Sequence, residues 1–348
     1  AVSTTGGVNL SGTGGTAHYA VRTTDTASIS AGSNITINGQ NPGRHWGVVL
    51  GANGNVQTTA GNIDITGVGT GGVYVTQTQL IAANNANNPT SGGNIMIQGT
   101  GSSDYGFEKA SGSLTAFGTI GVTAASTGFR ASYYGGTGTI RAVGDIALSS
   151  SSTSPANWGM VVDTNKLIQS TTGNIVVNSS GQGGAYIYGR LVAANSESTP
   201  TSGGGITLNA TGTSSHGLQL DTGALIGNGP IAITATNTST THSFWYGGAS
   251  GAIRSNGDIT IQAGNTSGAT GTWGLTMYGG RSIQSTGGNV SITARGTSGG
   301  IYIDNSATSI VAGNSFTNPT AGGNLTISAT GGSDAGLWMM NGGGLLAN

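Results

Sequence analysis

Gly61-Asn62-Ile63-Asp64-Ile65 is a short turn followed by two apolar residues that flank one polar residue. Similar phrases return along the whole chain, and their first apolar residues lie 25 to 35 residues apart. A period in this range is typical of solenoid proteins, in which each unit buries its apolar face against its neighbours. We therefore expect these first apolar residues to be buried in one stack. They are Val8, Ile35, Ile63, Ile95, Ile120, Ile146, Ile175, Ile206, Ile231, Ile259, Val290 and Leu325.

Each period holds three strand-like pieces separated by turns rich in Gly, Asn, Ser and Thr. The first piece is the phrase itself. The second follows a Gly-rich turn, as in Gly72-Val73-Tyr74-Val75, and the third is short, as in Leu80-Ile81. Three strands and three corners per period predict an all-β, single-stranded parallel β-helix with about twelve three-stranded rungs. Crossover chirality favours a right-handed coil, and the strand spacing gives a rod of roughly 55–60 Å.

A longer period lies above the rung. Trp46, Trp158 and Trp273 begin matching segments 112 and 115 residues apart. The chain is therefore predicted to be one rod with three four-rung super-repeats, at about residues 1–117, 118–228 and 229–348. We expect it to be a segment of a longer repeat array.

Composition excludes several classes of function. The net charge is -1 without a basic block, so the chain lacks the basic stripe that nucleic-acid binding usually requires. No apolar run approaches the roughly 20 residues that span a bilayer, so we expect no membrane insertion. Cysteine is absent, which excludes disulfides and thiolate metal sites and suits export as an unfolded thread. The first residues carry no signal-peptide pattern, so the sequence is expected to be a mature or excised segment.

The Gly-Asn-Ile-x-Ile phrases, the low charge, the absent cysteine and the polar corners resemble the filamentous haemagglutinin-type adhesins of Gram-negative bacteria. The β-helical passengers of autotransporters are similar. The resemblance covers the whole chain and concerns repeat style. It implies an extracellular or cell-surface location and a role in adhesion or matrix formation. No binding motif of the family can be transferred residue by residue.

Titratable residues predict no enzyme, cofactor or metal site. The eleven acids are scattered over separate rungs, whereas polysaccharide cleavage needs two carboxyl groups close together. Glu108 and Lys109 are expected to form a local ion pair.

Histidines alternate with aromatic residues in the corner before the second strand, which predicts a packing position. Only His18 and His45 are expected to lie in adjacent rungs. Asn or Asp before the first strand, as at Asn62, is expected to form a corner ladder that caps backbone groups.

Two features, the outward aromatic side chains and the longer corner loops, form the candidate contact surface. Outward aromatic side chains of the second strand are expected to stack on sugars, pack against a neighbouring rod, or stand as isolated surface residues. Longer loops at 84–92, 195–203 and 313–321 are expected to project as a ridge at one corner, where binding residues often lie. The residues of this surface are Tyr74, Tyr186, Tyr302, Trp338, Pro89, Pro200 and Pro319.

The sequence thus predicts a non-enzymatic structural and adhesive rod or filament subunit of a bacterial surface. The alternative is a polysaccharide-binding or polysaccharide-cleaving module. The expected partners are copies of the chain itself, through axial head-to-tail continuation that is covalent or between subunits, and surface glycans. Lateral packing of rods is a further option.

Overall fold

The structure is a computed structural model that describes residues 2–16, 18–248, 251–265, 272–304, 308–317 and 320–347. The described residues form strands and turns only, and no helix among them is long and apolar enough to cross a bilayer. The chain divides into two compact units, Ala1–Gly173 and Asn174–Asn348. In both units, three parallel sheets form a β-solenoid with three strands per rung, which confirms the predicted fold class.

Unit 1 is built on six of the repeated phrases, three of which read Asn-Ile-x-Ile. Its sheet 1 contains β2 (Val8–Thr13), β5 (Ile35–Gln40), β8 (Ile63–Gly69), β11 (Ile95–Gly101), β14 (Ile120–Ser126) and β17 (Ile146–Ser152). Its sheet 2 contains β3 (Val21–Asp25), β6 (Val48–Ala52), β9 (Val73–Val75), β12 (Phe107–Lys109), β15 (Ser132–Tyr134) and β18 (Trp158–Val162). Its sheet 3 contains β1 (Val2–Thr4), β4 (Ile29–Ala31), β7 (Asn55–Thr58), β10 (Gln79–Ala82), β13 (Leu114–Ala116), β16 (Ile140–Ala142) and β19 (Leu167–Ser170).

Unit 2 repeats this order with six further phrases. Its sheet 1 contains β20 (Ile175–Gly181), β23 (Ile206–Gly212), β26 (Ile231–Asn237), β29 (Ile259–Asn265), β32 (Val290–Gly296) and β35 (Leu325–Gly331). Its sheet 2 contains β21 (Gly183–Ile187), β24 (Leu218–Leu220), β27 (Phe244–Tyr246), β30 (Trp273–Tyr278), β33 (Gly299–Asp304) and β36 (Leu337–Met340). Its sheet 3 contains β22 (Arg190–Ala193), β25 (Ala224–Gly227), β28 (Ala252–Ser255), β31 (Ser282–Ser285), β34 (Ser309–Ala312) and β37 (Gly344–Ala347).

The core of each unit is a stack of aliphatic residues held in register. In unit 1, Ile63 pairs with Ile35 on one side and Ile95 on the other. In unit 2, Ile259 lies in the same way between Ile231 and Val290. Because side chains alternate along a strand, the register places the first apolar residues on the inner face, where all are buried except Leu325 of the last sheet 1 strand, which is half-buried. The predicted burial is confirmed for Ile35, Ile63, Ile95, Ile146, Ile175 and Ile259, all of which have no exposed surface.

The polar corner before sheet 1 forms the predicted ladder. The Asn62 side-chain oxygen accepts the Asn94 backbone N–H at 2.9 Å, and the Asn34 oxygen accepts that of Asn62 at 2.9 Å. In unit 2 the Asp258 carboxylate accepts the Asn289 N–H at 2.7 Å. These side chains satisfy backbone donors at a bend where the strand ladder is interrupted. The row is therefore structural.

The end of each sheet 1 strand lies close to the turn that leads into sheet 2. At Gly99, a Cβ atom would lie 1.9 Å from the carbonyl oxygen of Gly106, the residue before β12. The next rung has Ala124 at the paired position. Only small residues fit where one sheet bends into the next, so this approach sets how tightly the rung closes.

Candidate functional site: an aromatic stripe on sheet 2

The outward face of sheet 2 carries most of the chain's half-exposed rings. Tyr74 shows how the sequence produces this: Val73 and Val75 are fully buried, so the residue between them faces outward. The turn before each sheet 2 strand adds a second position for a ring beside the strand. We call the rings at these two positions, together with those in the turn that follows the strand, the aromatic stripe.

In unit 1 the stripe crosses four rungs through ring contacts. The Trp46 ring centroid lies 5.2 Å from that of Tyr74 and 6.4 Å from that of Tyr105. Tyr105 in turn lies 5.8 Å from Tyr133 and meets the edge of Phe129 at 4.7 Å. Tilted and edge-to-face rings at such separations attract each other. Tyr74 is therefore part of a packed surface, and the interpretation that it is an isolated aromatic is wrong.

In unit 2 the stripe also crosses four rungs. Trp245 lies 6.4 Å from Tyr278, Tyr278 lies 5.4 Å from Tyr302, and Tyr302 lies 5.3 Å from Trp273. Trp338 continues the row at 6.0 Å from Tyr302, with 41% of its surface exposed. Sequence reasoning named Tyr302 and Trp338 and missed the connecting rings. The sequence held a signal for one of them, because in Phe244-Trp245-Tyr246 alternation buries the outer two residues and turns Trp245 outward.

Tyr186, the remaining predicted ring, packs at 4.1 Å against Tyr188 in the following turn. Its hydroxyl donates to Asp221 at 3.3 Å. Tyr133 uses the same arrangement in unit 1, where its hydroxyl donates to Asp163 at 2.7 Å. An Asp that follows a sheet 2 strand therefore orients a tyrosine of the preceding rung, and these carboxylates have a structural role.

One acidic group in unit 1 lies within the stripe. Glu108 is paired in register between Tyr74 and Tyr133 on the outward face. Burial, followed by repulsion from the Asp104 carboxylate, raises the pKa of Glu108 to about 7. Burial also raises the pKa of Asp104, although the Tyr105 N–H that it accepts at 2.9 Å opposes this. The stripe in unit 1 thus contains a carboxyl group that is costly to ionise.

The predicted ion pair between Glu108 and Lys109 is wrong, because adjacent strand residues point to opposite faces. Lys109 is fully buried and donates to the Thr137 carbonyl at 2.9 Å. Lys166 donates to the nearby Gly138 carbonyl at 2.9 Å. Both ammonium groups hold one turn, residues 135–138. Burial and the neighbouring Lys166 lower the pKa of Lys109 below its usual 10.5.

This buried amine makes stability depend on pH. The unfolded state keeps the Lys109 proton up to 10.5, whereas the folded state releases it at lower pH. Between the lowered pKa and 10.5 the unfolded state binds more protons, so the free energy of unfolding should rise with pH, by at most about 1.4 kcal/mol per unit. We expect Lys109→Met to reduce this rise between pH 8 and 9.5 in urea unfolding, and the remainder to come from Lys166, whose pKa burial also lowers. Arg22→Met, which removes an exposed cation, should keep it; an unchanged slope in Lys109→Met would contradict the assignment.

Unit 2 has a different buried cation near the equivalent corner. Arg281 is fully buried and donates to the Asp221 carbonyl. Its guanidinium carbon lies 5.1 Å from the centroid of the Tyr246 ring. The cation is thus balanced by the Asp221 carboxylate at 4.0 Å, by a backbone carbonyl and by an aromatic face. We assign it to packing of the corner.

Three of the four corner histidines, His45, His216 and His242, are packing residues as predicted, whereas His18 is exposed. His216 and His242 stack at 5.4 Å with a 5° angle between their planes, and His216 lies 6.0 Å from Trp245. Burial lowers the pKa of both, that of His242 to about 4. The expectation that only His18 and His45 are in adjacent rungs is wrong, because β23 and β26 also pair. In the part of the chain that the structure describes, no group of three or more potential ligands could hold a metal ion.

The corner loops share one construction. The Asn84 side chain bonds the Thr90 hydroxyl at 2.8 Å, and Asn195 and Asn314 make the same contact with Thr201 and Thr320. The described residues of each loop are largely exposed. Pro89 itself is buried and offers no contact surface, whereas Pro200 is half-buried. Pro319 lies outside the described residues.

The loops at 84–92 and 195–203 are each tied to sheet 3 by an arginine. Arg141, two rungs further along, donates to the Asn87 carbonyl at 2.8 Å. Arg254 does the same in unit 2, where it donates to the Glu197 and Ser198 carbonyls. Arg190 forms a 2.7 Å ion pair with Glu197, and the loop covers an open cavity of about 660 Å³. Arg190 and Arg254 line this cavity, and both bind the loop above it. We therefore interpret the cavity as the space beneath the loop.

Comparisons with known proteins leave the chain unassigned: no family model, curated protein or solved structure matches it.

Proposed function

We propose that this chain is a non-enzymatic structural and adhesive segment of an extracellular rod on a bacterial surface. The observation that carries the proposal is the aromatic stripe on a solenoid scaffold. A solenoid with an aliphatic core supplies stiff, repeated faces. Half-exposed rings on one such face supply contact area with little loss of side-chain freedom on binding.

The distribution of polar groups supports a binding role over a catalytic one. Asp163 and Asp221 accept hydrogen bonds from tyrosines, and Asp258 caps a backbone N–H. Glu108 and Asp104 lie close enough to interact, and they flank a packed surface of rings. A rod of this kind would bind its target through faces and not through a cleft.

A polysaccharide-binding module is the second candidate, and the ring contacts favour it. Ring faces exposed over successive rungs, about 4.8 Å apart, suit an extended polymer lying along the stripe. The binding of glycans would then be the molecular basis of adhesion. The predicted partners therefore remain surface glycans and, through axial continuation, further copies of the chain.

Retention on immobilised polysaccharides tests the proposal. We expect the chain to be retained on at least one member of a panel of neutral, acidic and amino-sugar polymers, without release of reducing ends. Replacing Trp245 and Tyr302 with Thr should weaken a neutral-polymer interaction about tenfold, since two stacking faces are lost.

The matched control is Val68→Thr with Met96→Thr, which removes two exposed apolar side chains from sheet 1 of unit 1. It should leave retention unchanged. Equal loss in both double variants would show that the contact is non-specific. Cleavage of any polymer by the unmodified chain would contradict the non-enzymatic role.

A further inference from the structure

We propose that the unit 1 part of the stripe binds a cationic polysaccharide, a polymer of amino sugars with free ammonium groups. This inference rests on the proposed adhesive function and names the ligand class of one stretch of the same surface. It depends on the combination of ring faces and carboxyl groups around Glu108.

The first step is the position of Glu108. Tyr74 of β9 and Tyr133 of β15 pair with it on either side, so its carboxyl group stands in a row of aromatic side chains. Trp46 and Tyr105 pack against these tyrosines at 5.2 and 5.8 Å. A cation over this surface would meet both π faces and a carboxylate.

The second step is charge. Asp104 raises the cost of ionising Glu108, and Glu108 makes no ion pair among the described residues. Arg130 lies over the Phe129 ring at 5.4 Å and donates a hydrogen bond to Tyr105, so one cation already lies beside the row and the two carboxyl groups of Asp104 and Glu108 outnumber it. A ligand ammonium would offset the repulsion between the two carboxyl groups. Aromatic faces attract organic ammonium groups and offer no oxygen ligands to a metal ion, so the surroundings favour an amine over a divalent metal.

The third step is the shape of the surface. Trp46, Tyr74, Tyr105 and Tyr133 belong to successive rungs, and the rings follow one another in contact. An extended polymer crosses several rungs and meets a ring at each. In the stripe of unit 2 the residue between Trp245 and Tyr302 is Thr276, and the carboxylate of Asp304 pairs with Tyr278 at the end of the strand.

Titration with two hexasaccharides tests the inference in the intact chain. We expect the N,N,N-trimethylglucosamine hexamer to bind about tenfold more tightly than the N-acetylglucosamine hexamer at pH 7.5, because only the former carries a permanent positive charge. Glu108→Gln should weaken binding of the trimethylated hexamer about five- to tenfold. Glu197→Gln, which makes the same charge change on a loop, should alter its affinity less than twofold.

A pH series isolates the carboxyl group. With an N,N,N-trimethylglucosamine hexamer, whose charge is constant, the affinity of the unmodified chain should rise between pH 6 and 8 as Glu108 ionises. In Glu108→Gln this rise should be absent. The groups that face Glu108 from its own and neighbouring elements are Asp104, Tyr105, Tyr74, Tyr133 and Arg130.

The outcomes separate the two proposals. Equal binding of both hexamers, lost in Tyr74→Thr, would overturn the cationic ligand and leave adhesion through neutral stacking in place. An unchanged affinity in Glu108→Gln would also overturn it. The absence of binding to every hexamer and to every immobilised polymer would refute the proposed function as well.

Discussion

Ile259→Asp is expected to lower the free energy of unfolding by about 5 kcal/mol, the largest effect of any single change considered for this chain. Ile259 has no exposed surface and lies between Ile231 and Val290 in the core of unit 2. An Asp there loses the apolar contacts and brings an unpaired carboxylate into a stack that holds no cation. Urea unfolding followed by far-UV circular dichroism should show the midpoint displaced accordingly.

Thr260→Asp is the matched control, since it places the same carboxylate on the next residue of the same strand. Thr260 points outward and is exposed. Its replacement should change the unfolding free energy by less than about 0.5 kcal/mol. Similar losses in both variants would mean that sheet 1 does not have one inner and one outer face.

Gly99→Val is expected to cost about 3 kcal/mol or more, by overpacking. A Cβ atom at this position would lie 1.9 Å from the Gly106 carbonyl oxygen, and the atoms that would have to move are backbone. The turn before β12 would be displaced, together with Tyr105 and the stripe beside it. The same urea unfolding experiment measures the cost.

Thr100→Val introduces the same side chain one residue later, where the strand is exposed. It should be close to neutral, because Val is well suited to a strand. If Gly99→Val proved as stable as Thr100→Val, the close approach between sheets 1 and 2 would not limit the residues at this corner.

The core was predictable from sequence because every rung places an apolar residue at the same register position. Ile63 and Ile259 lie far apart in the chain and occupy the same register position, so the spacing of the phrases alone identified them. The corner ladder was predictable for the same reason, since Asn62 and Asp258 precede equivalent strands. Repetition provides the redundancy that a single motif lacks.

The continuity of the stripe was not predictable in this way. Trp273 and Tyr302 occupy different positions in their rungs, one beside a corner and one within a strand, so alignment of the rungs separates them. They meet because the corner of one rung lies next to the strand of the following rung. The predicted ion pair between Glu108 and Lys109 was avoidable. Alternation along the strand, which the sequence shows, places adjacent side chains on opposite faces.

The loop anchors depend on conformation and left no signal in the sequence. Arg254 reaches the Ser198 carbonyl, 56 residues earlier, only because the loop folds back over sheet 3. The burial of Pro89 has the same origin. Two of the three loops that were expected to project as a ridge, at 84–92 and 195–203, are tied to sheet 3 by an arginine.

Hydroxyl-radical footprinting with and without a retained polysaccharide tests the central claim, that the aromatic stripe is the contact surface, most directly. Oxidation of Trp245, Tyr302 and Trp338, or of Trp46 and Tyr74 for a cationic polymer, should fall several-fold on binding. Met96 on sheet 1 and Phe316 on a corner loop, with 41% and 42% of their surfaces exposed, should be oxidised at an unchanged rate. Protection of Met96 or Phe316, with unchanged oxidation of the stripe, would contradict the account.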